Sequence, residues 1–209
     1  YPDWRINRFE GVWTDHEQGA MRHTGDVFDM AIKGKGFFAV QTPEGVQYTR
    51  NGNFSKNDQG QLVTPIGYPV LDQAGAPITI PENYQRPEID ASGTVRVRDE
   101  LLGEQTVIGQ LQIVDFPELY DSNAAAQTPY QTPLKKGRDG LFIPHPTTPQ
   151  APADNFVISQ GFLEESNVQP VLEMVKMIDI FRSYEAEQRA VQVQDSTLER
   201  AVNDLGRVS

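Results

Sequence analysis

The sequence predicts a mainly β protein: a hairpin-rich β domain followed by one long C-terminal α-helix. Three observations predict it. Gly and Pro crowd the first 165 residues, whereas 166–209 contain only Pro170 and Gly206. Before that boundary, short β-branched and aromatic runs alternate with turn signals. After it, apolar residues recur at steps of three and four. The expected organisation is an extended N-terminal segment over 1–26, a β-rich domain over 27–165 with a loop-rich insert at 117–155, and a coiled-coil-type helix over 166–209.

The strand-like runs are Val27–Ile32, Phe37–Thr42, Val46–Arg50, Thr94–Arg98, Val107–Phe116 and Phe156–Ser159. Within the fifth, Leu111 and Ile113 point one way and Gln110 and Gln112 the other. Gly34-Lys35-Gly36 and Pro43-Glu44-Gly45 read as turns, and Asn51-Gly52 carries the strongest tight-hairpin signal. A further turn recurs as Asn57-Asp-Gln-Gly60, Asp72-Gln-Ala-Gly75 and Asp90-Ala-Ser-Gly93. Asn or Asp first and Gly fourth suit a type I turn, because the short side chain can accept bonds from backbone N–H groups ahead of it. Each is followed within three positions by an apolar residue (Leu62, Ile78, Val95). A calcium loop would need further oxygen ligands that these segments lack. Residues 120–129 and 142–152 hold enough Pro to predict irregular or extended chain.

Ser166-Asn167 offers a helix N-cap, Pro170 falls in the first turn, and Gly206 suits the end. Such a helix is roughly 55–60 Å long, against about 35 Å for the diameter of a compact domain of this size. Met174, Met177, Phe181, Tyr184, Gln188, Val191, Asp195, Leu198, Val202 and Leu205 form one seam. All but Gln188 and Asp195 are apolar or aromatic, so the seam needs a partner. Val171, Val175 and Ile178 widen it in the first half, which implies more than one neighbour there. The assembly interface is therefore expected on Met174, Met177, Phe181, Tyr184, Val191, Leu198, Val202 and Leu205.

Composition narrows the chemistry. A net charge of −11 argues against a nucleic-acid binder, which needs clustered cations. The absence of Cys excludes disulfides, thiolate nucleophiles and Cys-held metals. No stretch approaches the ~20 apolar residues of a membrane span. Nucleophile elbows, phosphate loops and paired-His zinc motifs are missing, so no catalytic, cofactor or metal site is expected. Asp15-His16-Glu17 with His23 could supply metal ligands, but reads better as a hydrated loop. Paired carboxylates for glycoside hydrolysis stay open, since their spacing is spatial rather than sequential. A secreted or periplasmic β domain that binds or hydrolyses polysaccharide is thus the alternative to a structural protein.

Two sets of motifs narrow it further. Asp29-Met-Ala-Ile-Lys-Gly-Lys-Gly-Phe-Phe38, Tyr48-Thr-Arg-Asn-Gly-Asn-Phe54, Asp58-Gln-Gly-Gln-Leu-Val-Thr64 and Gly67-Tyr-Pro-Val-Leu71 form the first. The second comprises Gln160-Gly-Phe-Leu-Glu-Glu-Ser-Asn-Val168, Glu173-Met-Val-Lys-Met-Ile178 and Arg182-Ser-Tyr-Glu185. In combination and order they resemble the bacterial flagellar rod and hook proteins. The short middle region is closer to the proximal and distal rod proteins than to the hook protein, and closest to the proximal one. The resemblance implies a non-catalytic rod subunit of the basal body in the cell envelope, bundling its helices with other rod and hook subunits into a torque-carrying shaft. It also implies export through the flagellar type III apparatus, a route that a Cys-free chain suits. Family members begin with a long apolar-striped helix that pairs with the C-terminal one. Tyr1 stands about where that helix ends, which implies a truncated or processed chain whose seam lacks its natural partner.

Overall fold

A computed structural model of the chain describes residues 14–82, 84, 87–98, 105–120 and 133–206, with the backbone alone at 120 and 201–206. The expectations for 1–13 and for the middle of the insert (121–132) lie outside the described residues. So do the side chains of Val202 and Leu205. The chain divides into two compact units, Tyr1–Glu165 and Ser166–Ser209.

The first unit is built of short strands. In chain order they are β1 (Met21–His23), β2 (Met30–Gly34), β3 (Phe37–Thr42), β4 (Gly45–Thr49), β5 (Ser55–Lys56), β6 (Leu62–Val63), β7 (Glu88–Ile89) and β8 (Thr94–Arg98). There follow β9 (Gln105–Gln110), β10 (Ile113–Asp115), β11 (Leu134–Lys136), β12 (Leu141–Pro144), β13 (Ala151–Pro152), β14 (Phe156–Gln160) and β15 (Phe162–Glu164). The largest sheet has six strands in the order β11-β12-β4-β3-β10-β13, and β7-β8-β9 form a second. Among the described residues there are also two-stranded pairs: β1 with β15, β2 with β14, β5 with β6.

β3 explains the layering. Phe37, Phe38, Ala39 and Val40 are all buried, so this strand faces core on both sides. Phe38 and Val40 enter a large core with Met30, Leu62, Val95, Leu111 and Ile158. Phe37 and Ala39 enter a smaller one with Tyr48, Leu71, Val114, Phe116 and Leu134. A strand buried on both faces reads as an unbroken apolar run, which Phe37–Val40 does.

The three repeated turns form as expected, and alike. The fourth-position N–H groups of Gly60, Gly75 and Gly93 each donate to the first residue's carbonyl at 2.9 Å. The side-chain oxygens of Asn57, Asp72 and Asp90 accept the N–H groups two and four residues on, at 2.8–3.0 Å. The glycines sit at φ of 77–80°, the left-handed position that closes a three-residue hairpin loop. Leu62, Ile78 and Val95 behind them are buried.

Elsewhere the structure departs from the sequence reading. Asn51-Gly52 is not a hairpin turn: Gly52 is not at positive φ, and its carbonyl accepts the Met30 N–H at 2.9 Å. A Cβ at Gly52 would lie 1.6 Å from the Met30 carbonyl oxygen, so glycine is there to let two backbones meet. The run Val107–Phe116 is two strands in different sheets, β9 and β10. Between them Leu111 donates to Gly93 and Gln112 to Leu71, handing the chain from one sheet to the other. The insert also holds more order than its Pro content suggested. β11 and β12 form a hairpin closed by Asp139-Gly140, both at positive φ (60° and 76°), and β13 adds an edge strand containing Pro152. At that edge a missing N–H is tolerated.

Among its described residues the second unit holds one helix, α1 (Pro170–Gly206), of 37 residues. Pro170 is its first helical residue, where an absent N–H is no loss. Ser166 does not cap it. Its Oγ accepts the Val168 N–H at 3.2 Å, ahead of the helix, and the first-turn bond runs from Glu173 N–H to the Gln169 carbonyl.

Candidate functional site

Apolar side chains of α1 stay in solvent in this structure. Of the eight expected interface residues, Met174, Met177, Phe181, Tyr184, Val191 and Leu198 are 55–64% exposed. They lie along one line of the helix for about 36 Å. The first turns go further. From Val171 to Phe181 only Glu173, Lys176 and Asp179 are polar; Val175, Ile178 and Ile180 are exposed beside the seam and Leu172 is exposed on the opposite side. A helix apolar on most of its circumference is one that packs against several neighbours.

Some polar residues of α1 pair with one another along the helix. Gln188, one of the interruptions, donates from Nε2 to the Tyr184 hydroxyl at 2.8 Å. Lys176 pairs with Glu173 at 2.7 Å and Arg189 with Glu185 at 3.8 Å, one helical turn apart in each case. Exposed pairs of this kind contribute a few tenths of a kcal/mol, roughly 0.3–0.5.

The first unit brings the two motif sets together. β14 pairs with β2 from Phe156↔Gly34 to Gln160↔Met30, and β15 pairs with β1. Gln160 donates from Nε2 to the carbonyls of Val27 (2.8 Å) and Pro87 (2.7 Å) and accepts the Ile89 N–H at 3.1 Å. Its amide thereby holds three segments. Gly161 donates to the Asp29 carbonyl at 2.7 Å and accepts from Thr24 and Gly25. Buried Asp29 in turn accepts the Asn53 side-chain amide at 3.1 Å. Arg50 reaches Glu164 at 2.8 Å, with both side chains largely out of water. Sequence reasoning singled out neither Arg50 nor Glu164, because their positions differ by 114 and no local pattern links them.

The other candidates disperse. His16 packs edge-on against Phe37 and Phe142, and burial holds its pKa below the ordinary 6.5, with a raising contribution from Asp15 and a lowering one from Arg50. His23 packs on Phe162. Among the described residues no three His, Asp or Glu side chains gather as metal ligands. A groove of about 340 Å³ lies along Gln73, Gln112, Ile113, Val114, Gln150, Ala151 and Pro152, and no carboxylate lines it. Beside it the Tyr48 hydroxyl donates to Gln150 at 2.7 Å, and burial pushes its pKa up.

Comparison with known proteins decides the family. Residues 31–97 match the flagellar hook protein FlgE/F/G D1 domain, and residues 159–205 match the flagellar basal body rod FlgEFG protein C-terminal region. The flagellar basal-body rod protein FlgF of Mesorhizobium japonicum is 35% identical, over 91% of this chain and 72% of its own length. The FlgF protein of Caulobacter vibrioides is 36% identical, over 95% and 74%. The chain belongs to the flagellar basal-body rod protein family. Rod proteins of both names are among its relatives: FlgG of Buchnera aphidicola from Acyrthosiphon pisum is 33% identical, over 88% of this chain and 68% of its own length. The second matched region runs from the end of β14 through β15 and along most of α1. The exposed seam therefore lies inside a segment that the rod family shares.

Proposed function

We infer that this chain is a structural subunit of the flagellar basal-body rod, and that the seam of α1 is its assembly face. The observation that carries the second part is the exposed line from Met174 to Leu198 on a helix of this family. Fully burying one such side chain gains about 1.5–3 kcal/mol, so six or more supply a strong drive to bundle with other subunits. The work of the protein is then mechanical. A tightly cored β body resists deformation, and bundled helices carry torque along the axis. The Cys-free sequence supports export of the unfolded chain through the flagellar type III apparatus to the envelope, since no disulfide would obstruct threading. Domains at 27–165 and 166–209, with the insert at 117–155, remain the division that this reading uses. The polysaccharide alternative draws no support from the groove or from the relatives.

Replacing Phe181 and Val191 together by Glu tests the assignment. Sedimentation of the chain at rising concentration, alone and with other rod subunits, should show association that the double substitution abolishes. Association that survives both charges would place the interface elsewhere.

A further inference from the structure

The β1–β15 ribbon is a weak element in a critical place. Its ladder pairs Met21–His23 with Phe162–Glu164. One backbone bond from the Glu165 N–H to the Ala20 carbonyl at 2.8 Å and the Thr24 and Gly25 bonds to Gly161 extend it. A ribbon that short is marginal in water. Yet β15 leads directly into the segment that ends in α1, so any pull on the helix reaches the body through it. The end at which it would peel open is at Ala20 and Glu165, beside the pair Met21↔Glu164.

We propose that Arg50 is the positioning residue that locks this ribbon, and with it the strap at Gly19 and the last strand of the first unit, onto the β body. Its Nε donates to Glu164 Oε2 at 2.8 Å. Its Nη2 donates to the Gly34 carbonyl at 2.5 Å and the Ile32 carbonyl at 3.4 Å, and Nη1 donates to the Gly36 carbonyl. The other Glu164 oxygen accepts the Gly19 N–H at 3.0 Å. One carboxylate thus ties the strap before β1 to the last residue of β15, and one guanidinium ties that carboxylate to the β2–β3 turn. The Phe37 ring lies 5.8 Å from the guanidinium carbon and closes the site on that side.

Burial decides why this pair holds and its neighbour does not. Arg22 and Glu165 also pair across the same ribbon, at 2.9 Å, but their side chains are 57% and 52% exposed. Water and salt screen such a contact. Arg50 and Glu164 are 19% and 9% exposed, where removing one partner strands the other without solvent. The geometry also demands Arg. Several carbonyls and a carboxylate are met by a flat fork of five N–H groups, which a lysine ammonium does not reproduce.

Hydrogen exchange on the intact chain tests the lock, with Arg50→Lys, Glu164→Gln and the control Arg22→Ala. Arg50→Lys and Glu164→Gln should each speed exchange of the Met21–His23 and Phe162–Glu165 amides by about tenfold or more, the size of a lost charge-assisted bond. β3 and β4 should keep their protection, and Arg22→Ala should change the ribbon less than about twofold. Full protection in Arg50→Lys would overturn the proposal. So would equal acceleration in β3 and β4, or loss of the fold in both variants, because either makes Arg50 a general stabiliser. The lock is a property of the single chain, so its failure leaves the rod assignment standing.

Discussion

The β body and α1 use the same apolar residue types in opposite ways. Phe38 is 0% exposed and Phe181 61%; Leu111 is 1% exposed and Leu198 64%. In the body, strands too short to be stable alone are stapled by side chains such as Gln160 and Arg50. In α1 the backbone is regular for 37 residues while the apolar side chains remain uncovered. The body's apolar side chains are covered within the chain, and under the proposed assembly those of the helix are covered by other subunits. A helix draws most of its stability from packing an apolar face, and under the proposed assembly other subunits supply that packing for α1.

The largest effect that would break this contrast is on the core. Phe38→Ala should destabilise the monomer by about 3–5 kcal/mol, from lost burial plus a cavity. Phe181→Ala should move monomer stability by no more than about 0.5 kcal/mol. Thermal unfolding at low concentration checks both, and similar losses at the two sites would mean that Phe181 is already packed.

A smaller effect sharpens what makes the body self-sufficient. The Asp90 carboxylate accepts the Ser92 hydroxyl and the Ser92 and Thr94 N–H groups, and faces Arg96 at 3.0 Å. The Ser92 hydroxyl is the largest of the contributions that hold its pKa below the ordinary 3.8; burial, the next largest, opposes it, and the Thr94 and Ser92 N–H groups and Arg96 add to the lowering. Asp90→Ala should cost about 1 kcal/mol near neutral pH, as loss of a comparable cap does. A depressed carboxylate pKa stabilises the fold above the unfolded value and loses that stabilisation as pH falls through the folded one. The gap between parent and variant should therefore hold above about pH 4 and close below it, as read from denaturant melts across pH. A gap independent of pH would show that the ionised carboxylate contributes nothing there.

What the sequence made legible was local. The turns at Asn57, Asp72 and Asp90 could be read because first residue, glycine and following apolar residue lie within a few positions. The seam of α1 could be read because its period repeats along a single element. Contacts between distant segments were not legible. Asn51-Gly52 carries a hairpin signature, but its glycine answers to Met30 across the fold. Val107–Phe116 alternates like one strand, and only the partners at Gly93 and Leu71 divide it. Asp139-Gly140 is itself a strong hairpin signal, masked by the Pro residues around it. Arg50 and Glu164 meet only because β1, β2 and β15 converge.

Amide exchange along α1 as a function of concentration tests the central claim most directly. In dilute chain, amides beyond Arg189 should exchange quickly while β3 amides are protected, and assembly should raise protection along α1 without changing β3. Strong, concentration-independent protection along the whole of α1 would contradict the account, because the helix would then be stable without a partner.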